Sequence, residues 1–174
     1  MSELLLTRAK ALKLHGRVHH LDEVTDKVWV ENLLLWEEEA RHQRSLQRRI
    51  YCAQIGRFKP LAAFDWQWPK SCDRELIDEF MKLEFIKEVS NIIICGPNGV
   101  GTTKIASNIA YEAVIQGHTV ILTTAGKMLN DLASQDGDNA LRRRIKHYTN
   151  PTVLVIDEIG YLSYSNRHAD LLFE

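Results

Sequence analysis

The octapeptide Gly96-Pro-Asn-Gly-Val-Gly-Thr-Thr103 follows the pattern G-x-x-x-x-G-K-[ST] of phosphate-binding loops except at one position. Gly96, Gly101 and Thr103 occupy the glycine and hydroxyl positions, whereas Thr102 stands where the pattern has lysine. Glycines let the backbone curl so that successive N–H groups point inward at an anion. The octapeptide therefore predicts a loop that cradles phosphate groups without the lysine that would pair with them.

The residues on either side of this octapeptide provide the context that such a loop needs. The apolar run Asn91-Ile-Ile-Ile-Cys95 predicts a short buried strand, and residues 102–116 predict a helix that Gly117 ends. Strand, loop and helix in this order disfavour the alternative of a chance glycine turn. The predicted nucleotide-binding residues are Gly96, Pro97, Asn98, Gly99, Val100, Gly101, Thr102 and Thr103.

The loss of the lysine predicts weak binding of ATP and impaired or absent hydrolysis. A charge-assisted hydrogen bond contributes a net of about 1.5–3 kcal/mol. A loss of this size lowers affinity by on the order of 10- to 150-fold. Lys104 is a poor substitute, because residues two apart on a helix do not share a face. Whether the chain is an active ATPase is therefore left open by its sequence.

A second acidic motif lies downstream of the loop. Thr152-Val-Leu-Val-Ile156 predicts a buried strand that ends in Asp157-Glu158. We expect Asp157 and Thr103 to hold Mg²⁺, and Glu158 to act as the catalytic residue that polarises the attacking water. The alternative is a strand that ends in a solvated acidic turn.

The order of the predicted elements indicates the fold class. Residues 119–124 predict a further strand between the phosphate-binding loop and the acidic pair. Strand, helix, strand, helix and strand in succession are typical of an α/β fold with a parallel sheet and flanking helices. The chain is therefore predicted to contain a P-loop NTPase sheet.

Composition shifts divide the chain into three predicted segments. Residues 1–56 predict a small all-α N-terminal domain, residues 57–70 a linker, and residues 71–174 a partial ATP-binding domain. The linker contains the aromatic stretch Phe64-Asp-Trp-Gln-Trp-Pro69, which either packs on the core or borders an adenine, and packing is favoured.

Three helices are predicted outside the P-loop core. The first carries the apolar stripe Leu4, Leu5, Ala9 and Leu12 and ends by Gly16. A longer helix extends from about Asp26 to Gln54, and a third, capped by Ser71 or Asp73, extends through about Lys87.

Charge and composition narrow the class of protein. The chain is 45% hydrophobic, which predicts a packed core. Its formal net charge is −1, which predicts no overall electrostatic attraction to nucleic acid. The apolar runs are too short for a membrane span, the start lacks a signal peptide, and the cysteines have no metal or disulfide spacing. A cytoplasmic protein without a membrane partner is therefore predicted.

A basic cluster interrupts the otherwise balanced charge. Leu141, Ile145 and Tyr148 share one helical face and leave the charges outside. These charges either contact DNA or a partner, or form an ordinary solvated surface. The candidate DNA-contacting residues are Arg142, Arg143, Arg144 and Lys146, with Arg48 and Arg49 on another helix.

The motifs together resemble one known family. The relevant stretches are Gly56-Arg-Phe-Lys-Pro-Leu61, residues 64–70, residues 96–101, residues 155–164 and the tail at 166–174. The chain resembles the IstB-like ATP-binding helper proteins of insertion sequences over nearly its whole length. The resemblance implies an AAA+ ATPase related to the DnaC-type helicase loaders, with ATP and Mg²⁺ as cofactors.

The same resemblance implies partners for the chain. It also shows two points at which the chain differs from the family pattern. Such helpers assemble on target DNA, recruit a transposase and self-associate through the helical N-terminal domain. This chain has Thr102 in place of the family's lysine and stops at Glu174, before the fourth strand, lid and arginine finger of an AAA+ domain. A sheet incomplete at its C-terminus is therefore expected. The alternatives are a non-enzymatic truncated remnant or adaptor, and a DnaC-like helicase loader in replication.

Overall fold

The computed structural model describes residues 3–14, 28–67 and 72–161 of the chain. Contacts between residues divide the chain into two compact units, Met1–Arg48 and Arg49–Glu174. The predicted domain boundaries after residues 56 and 70 remain predictions. The predicted helix limits at Gly16, Asp26 and Ser71 lie outside the described residues.

The first unit is built on helix α1 (Glu3–Ala11) and the start of helix α2 (Val28–Ala53). Leu5, Ala9 and Leu12 recur at helical spacing and pack against Leu34 of α2. Leu4 was predicted to belong to this stripe, but it is 67% exposed, because it lies a quarter turn away from the buried face.

One ion pair joins the two helices beside this apolar cluster. Arg8 donates from Nε to Oε1 of Glu38 at 2.8 Å and from Nη2 to Oε2 at 2.6 Å. These hydrogen bonds hold the pKa of the Glu38 carboxyl below its ordinary value. The bidentate geometry sets the two helices in one register, because both nitrogens must meet both oxygens.

The second unit contains a parallel two-stranded sheet. Strand β1 (Val120–Thr124) pairs with strand β2 (Val153–Asp157), with Val120 opposite Val153 and Thr124 opposite Asp157. Both strands are rich in β-branched residues, which suit a pleated surface that is covered on both faces. These two strands and their parallel direction confirm the α/β character that the sequence predicts.

Helices cover both faces of this sheet. Helix α5 (Thr102–Ile115) contacts both strands. On the other face, helices α6 (Ala125–Ala133) and α7 (Asp138–Thr149) pack on side chains that alternate along the strands. This second apolar cluster consists of Ile121, Met128, Leu132 and Tyr148, with Leu141, Leu154 and Ile156 against it.

The predicted strand at residues 91–95 is wrong in the structure. These residues have no strand pairing, and Ile93 is 85% exposed. A strand is stable when a neighbour takes its backbone donors and acceptors. In the described part of the chain no strand pairs with residues 91–95, because the sheet there consists of β1 and β2 alone.

The predicted helix from Asp73 to Lys87 is divided into two. Asp73 caps helix α3 (Arg74–Met81) by accepting a hydrogen bond from the Leu76 N–H at 3.0 Å, and it is one of the two caps that the sequence predicts. The chain then turns at Leu83, whose φ is +62°, before the one-turn helix α4 (Glu84–Lys87). Leu83 is 3% exposed, so burial of its side chain offsets the strained backbone.

None of the helices within residues 3–14, 28–67 and 72–161 is both long and apolar enough to cross a bilayer.

Candidate nucleotide-binding site

The loop at residues 96–101 has the tight curvature that its glycines allow. Gly99 and Gly101 adopt φ of +83° and +98°, values that side chains disfavour. A Cβ added at Gly96 would lie 2.7 Å from Cγ2 of Val100, so a larger residue here would have to displace the Val100 side chain. The Val100 N–H donates to the Pro97 carbonyl at 3.4 Å and closes a turn inside the loop.

Helix α5 begins where this loop ends. Its first residue is Thr102, and Gly101 is its N-cap. In the described structure the N–H groups of Gly101, Thr102 and Thr103 form no backbone-to-backbone hydrogen bond, as is usual for a first helical turn. These donors and the positive end of the helix dipole together suit a phosphate group.

The acidic pair lies at the end of strand β2. Asp157 is the last residue of the strand, and its Oδ1 accepts a hydrogen bond from the Glu158 N–H at 2.9 Å. Glu158 has a φ of +58°, which is uncommon for a residue with a side chain. Backbone strain of this kind is often found in functional sites, because the surrounding fold must hold it in place.

The phosphate-binding loop and the acidic pair line one cleft. Its volume is about 1000 Å³, and Ala106 and Ile109 of α5 contribute to its lining. Val100 and Gly101, although predicted to bind nucleotide, do not line it. The predicted residues that the cleft brings together are Gly96, Pro97, Asn98, Gly99, Thr102, Thr103, Asp157 and Glu158.

The residues of this cleft fit a metal that arrives with phosphate. No group of three His, Cys, Asp or Glu side chains within the described residues could hold a metal ion by itself. Mg²⁺ commonly takes one or two protein ligands, with phosphate oxygens and water completing its octahedron. The Asp157 carboxylate and the Thr103 hydroxyl are hard oxygen ligands of this kind.

The side chains at the start of α5 differ in their direction. Cγ2 of Thr102 would be 3.2 Å from a Cβ at Gly96, so its side chain lies against the loop. Lys104 places its Nζ 5.4 Å from the ring centre of Phe64 and does not line the cleft. The nearest lysine along the chain is therefore directed at an aromatic ring rather than into the cleft.

The linker before α3 packs along one face of helix α5. Phe58 stacks on Tyr111 with ring centres 4.2 Å apart, and Phe64 lies against Gly101. Between them, buried Asn108 accepts a hydrogen bond from the Leu61 N–H at 2.9 Å. We call these contacts the linker seam. For Phe64 the structure favours packing, one of the two alternatives that the sequence leaves open.

Asn108 holds the linker seam with two further bonds. Its Nδ2 donates to the Lys59 carbonyl at 3.0 Å and to the Lys104 carbonyl at 2.8 Å. The amide is thereby satisfied on both sides, which explains how an asparagine is tolerated at 5% exposure. The sequence feature that could have identified Asn108 is its polar side chain on the apolar face of a helix, next to Ile109.

The basic cluster of helix α7 is not uniform. Arg144 hydrogen-bonds Asp131 of α6, and the Tyr148 hydroxyl donates to the same carboxylate oxygen, Oδ2, at 2.6 Å. Burial raises the pKa of Asp131, but the hydrogen bonds from Tyr148 and Arg144 outweigh it and lower the pKa overall. Arg144 is therefore engaged in the fold, whereas Arg142 and Arg143 form no ion pair with another described residue.

The second predicted basic pair is also divided. Arg49 donates from Nε to the Val114 carbonyl at the end of α5 at 3.1 Å. Arg48 lies on the same helix and is exposed. Contact of DNA with the basic cluster of α7, or with Arg48 and Arg49, stays a prediction.

Comparison with known proteins identifies relatives associated with insertion sequences. The chain is 30% identical over 180 residues to the predicted ATP-binding protein of IS21 from Pseudomonas aeruginosa, covering 98% of this chain and 67% of the relative. It is 34% identical over 142 residues to that of IS5376 from Geobacillus stearothermophilus, covering 82% and 57%. It is 30% identical over 179 residues to that of IS232 from Bacillus thuringiensis subsp. berliner, covering 98% and 72%.

These relatives are longer than the chain, which spans 57–72% of their lengths. The family model described as IstB-like ATP binding protein matches residues 5–174, and this range includes the loop, the acidic pair and the linker seam. The chain belongs to the IstB-like ATP-binding protein family.

Proposed function

We propose that the chain is an ATP-binding helper of insertion-sequence transposition that binds Mg·ATP weakly and hydrolyses it slowly or not at all. The observation that carries the proposal is the single cleft lined by the phosphate-binding loop and by Asp157 and Glu158. The names of the relatives supply the association with insertion sequences. An AAA+ type of sheet, self-association and a transposase partner belong to this proposal.

Binding of the phosphates is assigned to the backbone of the loop. The donors at the start of α5 and the glycine-permitted turn are independent of the side chain at position 102, so recognition of the anion survives. Asp157 and Thr103 would hold Mg²⁺, which neutralises phosphate charge when it is bound. Thr102 contributes no charge, so the ground-state complex is weaker than with lysine.

Catalysis is expected to suffer more than binding. Negative charge develops on the transferred phosphoryl group in the transition state, and a fixed positive charge is most valuable there. Glu158 can still orient a water molecule, because its carboxylate follows the end of strand β2. In this proposal ATP acts as a ligand that favours one assembly state of the protein, rather than as a substrate that is hydrolysed rapidly.

The acidic pair yields a test of these roles. We expect Asp157→Ala to abolish the Mg²⁺ dependence of ATP binding, since it removes a metal ligand. Glu158→Gln should leave the affinity for Mg·ATP nearly unchanged, because Glu158 acts on water rather than on the ground-state phosphates. Calorimetric titration of both variants with ATP, with and without Mg²⁺, measures the difference.

The two substitutions act as controls for each other, because they are adjacent in the chain. Equal losses of affinity would contradict the separate roles assigned to them. If the unsubstituted chain shows no saturable ATP binding, the non-enzymatic adaptor becomes the better description. Thr102 is the observation that favours this second candidate.

The basic cluster of α7 yields a test of DNA binding. We expect the triple substitution Arg142→Gln, Arg143→Gln and Lys146→Gln to flatten the slope of log affinity against log salt concentration for duplex DNA. Binding releases counterions at each phosphate contact, so a variant with fewer contacts releases fewer of them. The loss should be similar for unrelated DNA sequences. Fluorescence anisotropy at several salt concentrations measures the slope.

Arg144→Gln serves as the matched control, because this arginine is paired with Asp131 within the fold. It should lower stability and leave the salt slope unchanged. A slope that does not respond to the triple substitution would assign the cluster to ordinary solvated surface.

A further inference from the structure

The ring of Phe64 packs against the last glycine of the phosphate-binding loop. This glycine, Gly101, is the N-cap of helix α5 and has a φ of +98°. A Cβ added to it would lie 2.5 Å from Cε2 and 3.2 Å from Cζ of the Phe64 ring. The edge of the ring therefore lies directly on the backbone at the point where the loop becomes a helix.

Aromatic and charged side chains hold the Phe64 ring in place. The Trp66 ring lies 4.9 Å from it, centre to centre, and Cζ of Arg74 lies 4.9 Å from the centre of the Trp66 ring. Lys104, in the first turn of α5, places its Nζ 5.4 Å from the centre of the Phe64 ring. Aromatic pairs and cation–π contacts are attractive at these distances. The ring is thus connected to helix α3 through Arg74 and to helix α5 through Lys104.

The backbone of Phe64 is anchored to the same helix. Residues Leu61–Ala63 form one turn of 3-10 helix, and the Phe64 N–H donates to the Leu61 carbonyl at 2.8 Å. The Leu61 N–H donates to Oδ1 of Asn108 at 2.9 Å, and Nδ2 of Asn108 donates to the Lys104 carbonyl at 2.8 Å. Both the ring and the backbone of Phe64 are therefore fixed relative to the first turn of α5.

The conformation of Gly101 matters because its backbone belongs to the phosphate-binding loop. Its N–H and those of Thr102 and Thr103 are the donors at the start of α5. A loop whose donors are ordered before the ligand arrives binds more tightly, since binding does not have to fix its backbone. With Thr102 in place of lysine, these backbone donors contribute a larger share of the affinity.

We propose that Phe64 is a positioning residue for the phosphate-binding loop. Its ring holds Gly101 in the conformation in which the N–H groups of residues 101–103 face one phosphate group. Phe64 does not line the cleft, so it acts through Gly101 rather than by touching the nucleotide. The ligand that it serves is the polyphosphate chain, with or without a nucleoside. This inference rests on the proposed function, since it assigns the phosphates to the same loop.

The first test compares two ligands of the full chain, Mg·ATP and Mg·tripolyphosphate, which carries phosphates without a base. We expect Phe64→Ala to weaken the binding of both about 10-fold, because the loop must then be ordered on binding. Phe64→Leu, which keeps an apolar side chain beside Gly101, should recover part of the loss. Isothermal calorimetry measures the affinities.

Phe58→Ala is the matched control. Phe58 is an aromatic residue of the same linker and packs on the same helix, but it stacks on Tyr111, which is distant from the loop along α5. Both substitutions remove a ring from the linker seam and should lower stability. We expect only Phe64→Ala to lower the affinity for tripolyphosphate.

A measurement without any ligand tests the hold on Gly101 directly. The Ile105 N–H donates to the Gly101 carbonyl at 3.0 Å, so it exchanges with solvent when the first turn of α5 opens. We expect Phe64→Ala to speed the exchange of this amide about 10-fold relative to the Ala113 amide, near the other end of the helix. A variant that is merely less stable would speed both amides alike. Hydrogen exchange followed by NMR measures both.

Three outcomes would overturn the proposal. One is an equal loss of tripolyphosphate affinity in Phe58→Ala and Phe64→Ala, which would make the effect a general one of linker packing. Another is a loss for ATP alone, since Phe64 would then contact the base. The third is unchanged relative exchange of the Ile105 amide in Phe64→Ala.

Failure of the proposed function has a different result. In that case the unsubstituted chain binds neither ATP nor tripolyphosphate saturably, and the role of Phe64 in phosphate binding falls with it. Exchange of the Ile105 amide still decides whether Phe64 holds the first turn of α5, because that measurement needs no ligand.

Discussion

Thr102→Lys is expected to tighten Mg·ATP binding about 10-fold or more, because it restores a charge-assisted contact of about 1.5–3 kcal/mol. The backbone of the loop is already in place, with Gly99 and Gly101 in left-handed conformations. The side chain at position 102 lies against Gly96 on the side of the loop, so a lysine there starts within the site. Isothermal calorimetry of the two proteins measures the difference in affinity.

Gln116→Lys is the control for the added charge. Gln116 lies at the other end of helix α5, is exposed and does not line the cleft. A general electrostatic effect would strengthen ATP binding in both variants, whereas a local contact strengthens it only in Thr102→Lys. If Thr102→Lys binds no more tightly than the unsubstituted chain, the lysine position does not limit binding and the cleft holds phosphate in another way.

Asn108→Ala is expected to lower the free energy of unfolding by about 2–3 kcal/mol, because it leaves two part-buried backbone groups without their hydrogen bonds. The Leu61 N–H and the Lys59 carbonyl lose their bonds at the same time. Chemical denaturation measures the loss of stability. Limited trypsin digestion measures its location, because cleavage after Arg57, next to Phe58 of the linker seam, should become faster when the linker leaves α5.

Asn130→Ala is the matched control, since Asn130 is an exposed helical asparagine on α6. It should change stability by no more than about 0.5 kcal/mol. Similar losses in the two variants would show that the Asn108 bonds contribute little. Unchanged digestion after Arg57 would show that the linker is held by the aromatic contacts rather than by the amide.

Local features of the site were predictable from the sequence. The glycines of the loop, the start of α5 at Thr102 and the cap at Asp73 depend on residues within one turn of each other. The strands β1 and β2 were also predicted, because β-branched apolar runs of about five residues are typical of buried strands in an α/β fold.

The failures concern features that depend on distant residues. Residues 91–95 read as a strand, but a strand needs a neighbour, and the described chain offers none. The break at Leu83 is held by burial of its side chain rather than by a local helix-breaking residue. Asn108 joins residues that are 47 and 49 positions away, and Arg144 joins one 13 positions away. Periodicity alone does not show such partners.

The linker seam has a mechanical consequence. Its contacts are arranged in series, from Phe58 on Tyr111, through Asn108, to Phe64 on Gly101. A force that pulls on the chain before Phe58 would break these contacts one after another rather than all at once. The stack on Tyr111 would yield first, and the contact at Gly101 would yield last. A pull from this side would therefore have to break the Phe58 and Asn108 contacts before it reached Gly101 of the phosphate-binding loop.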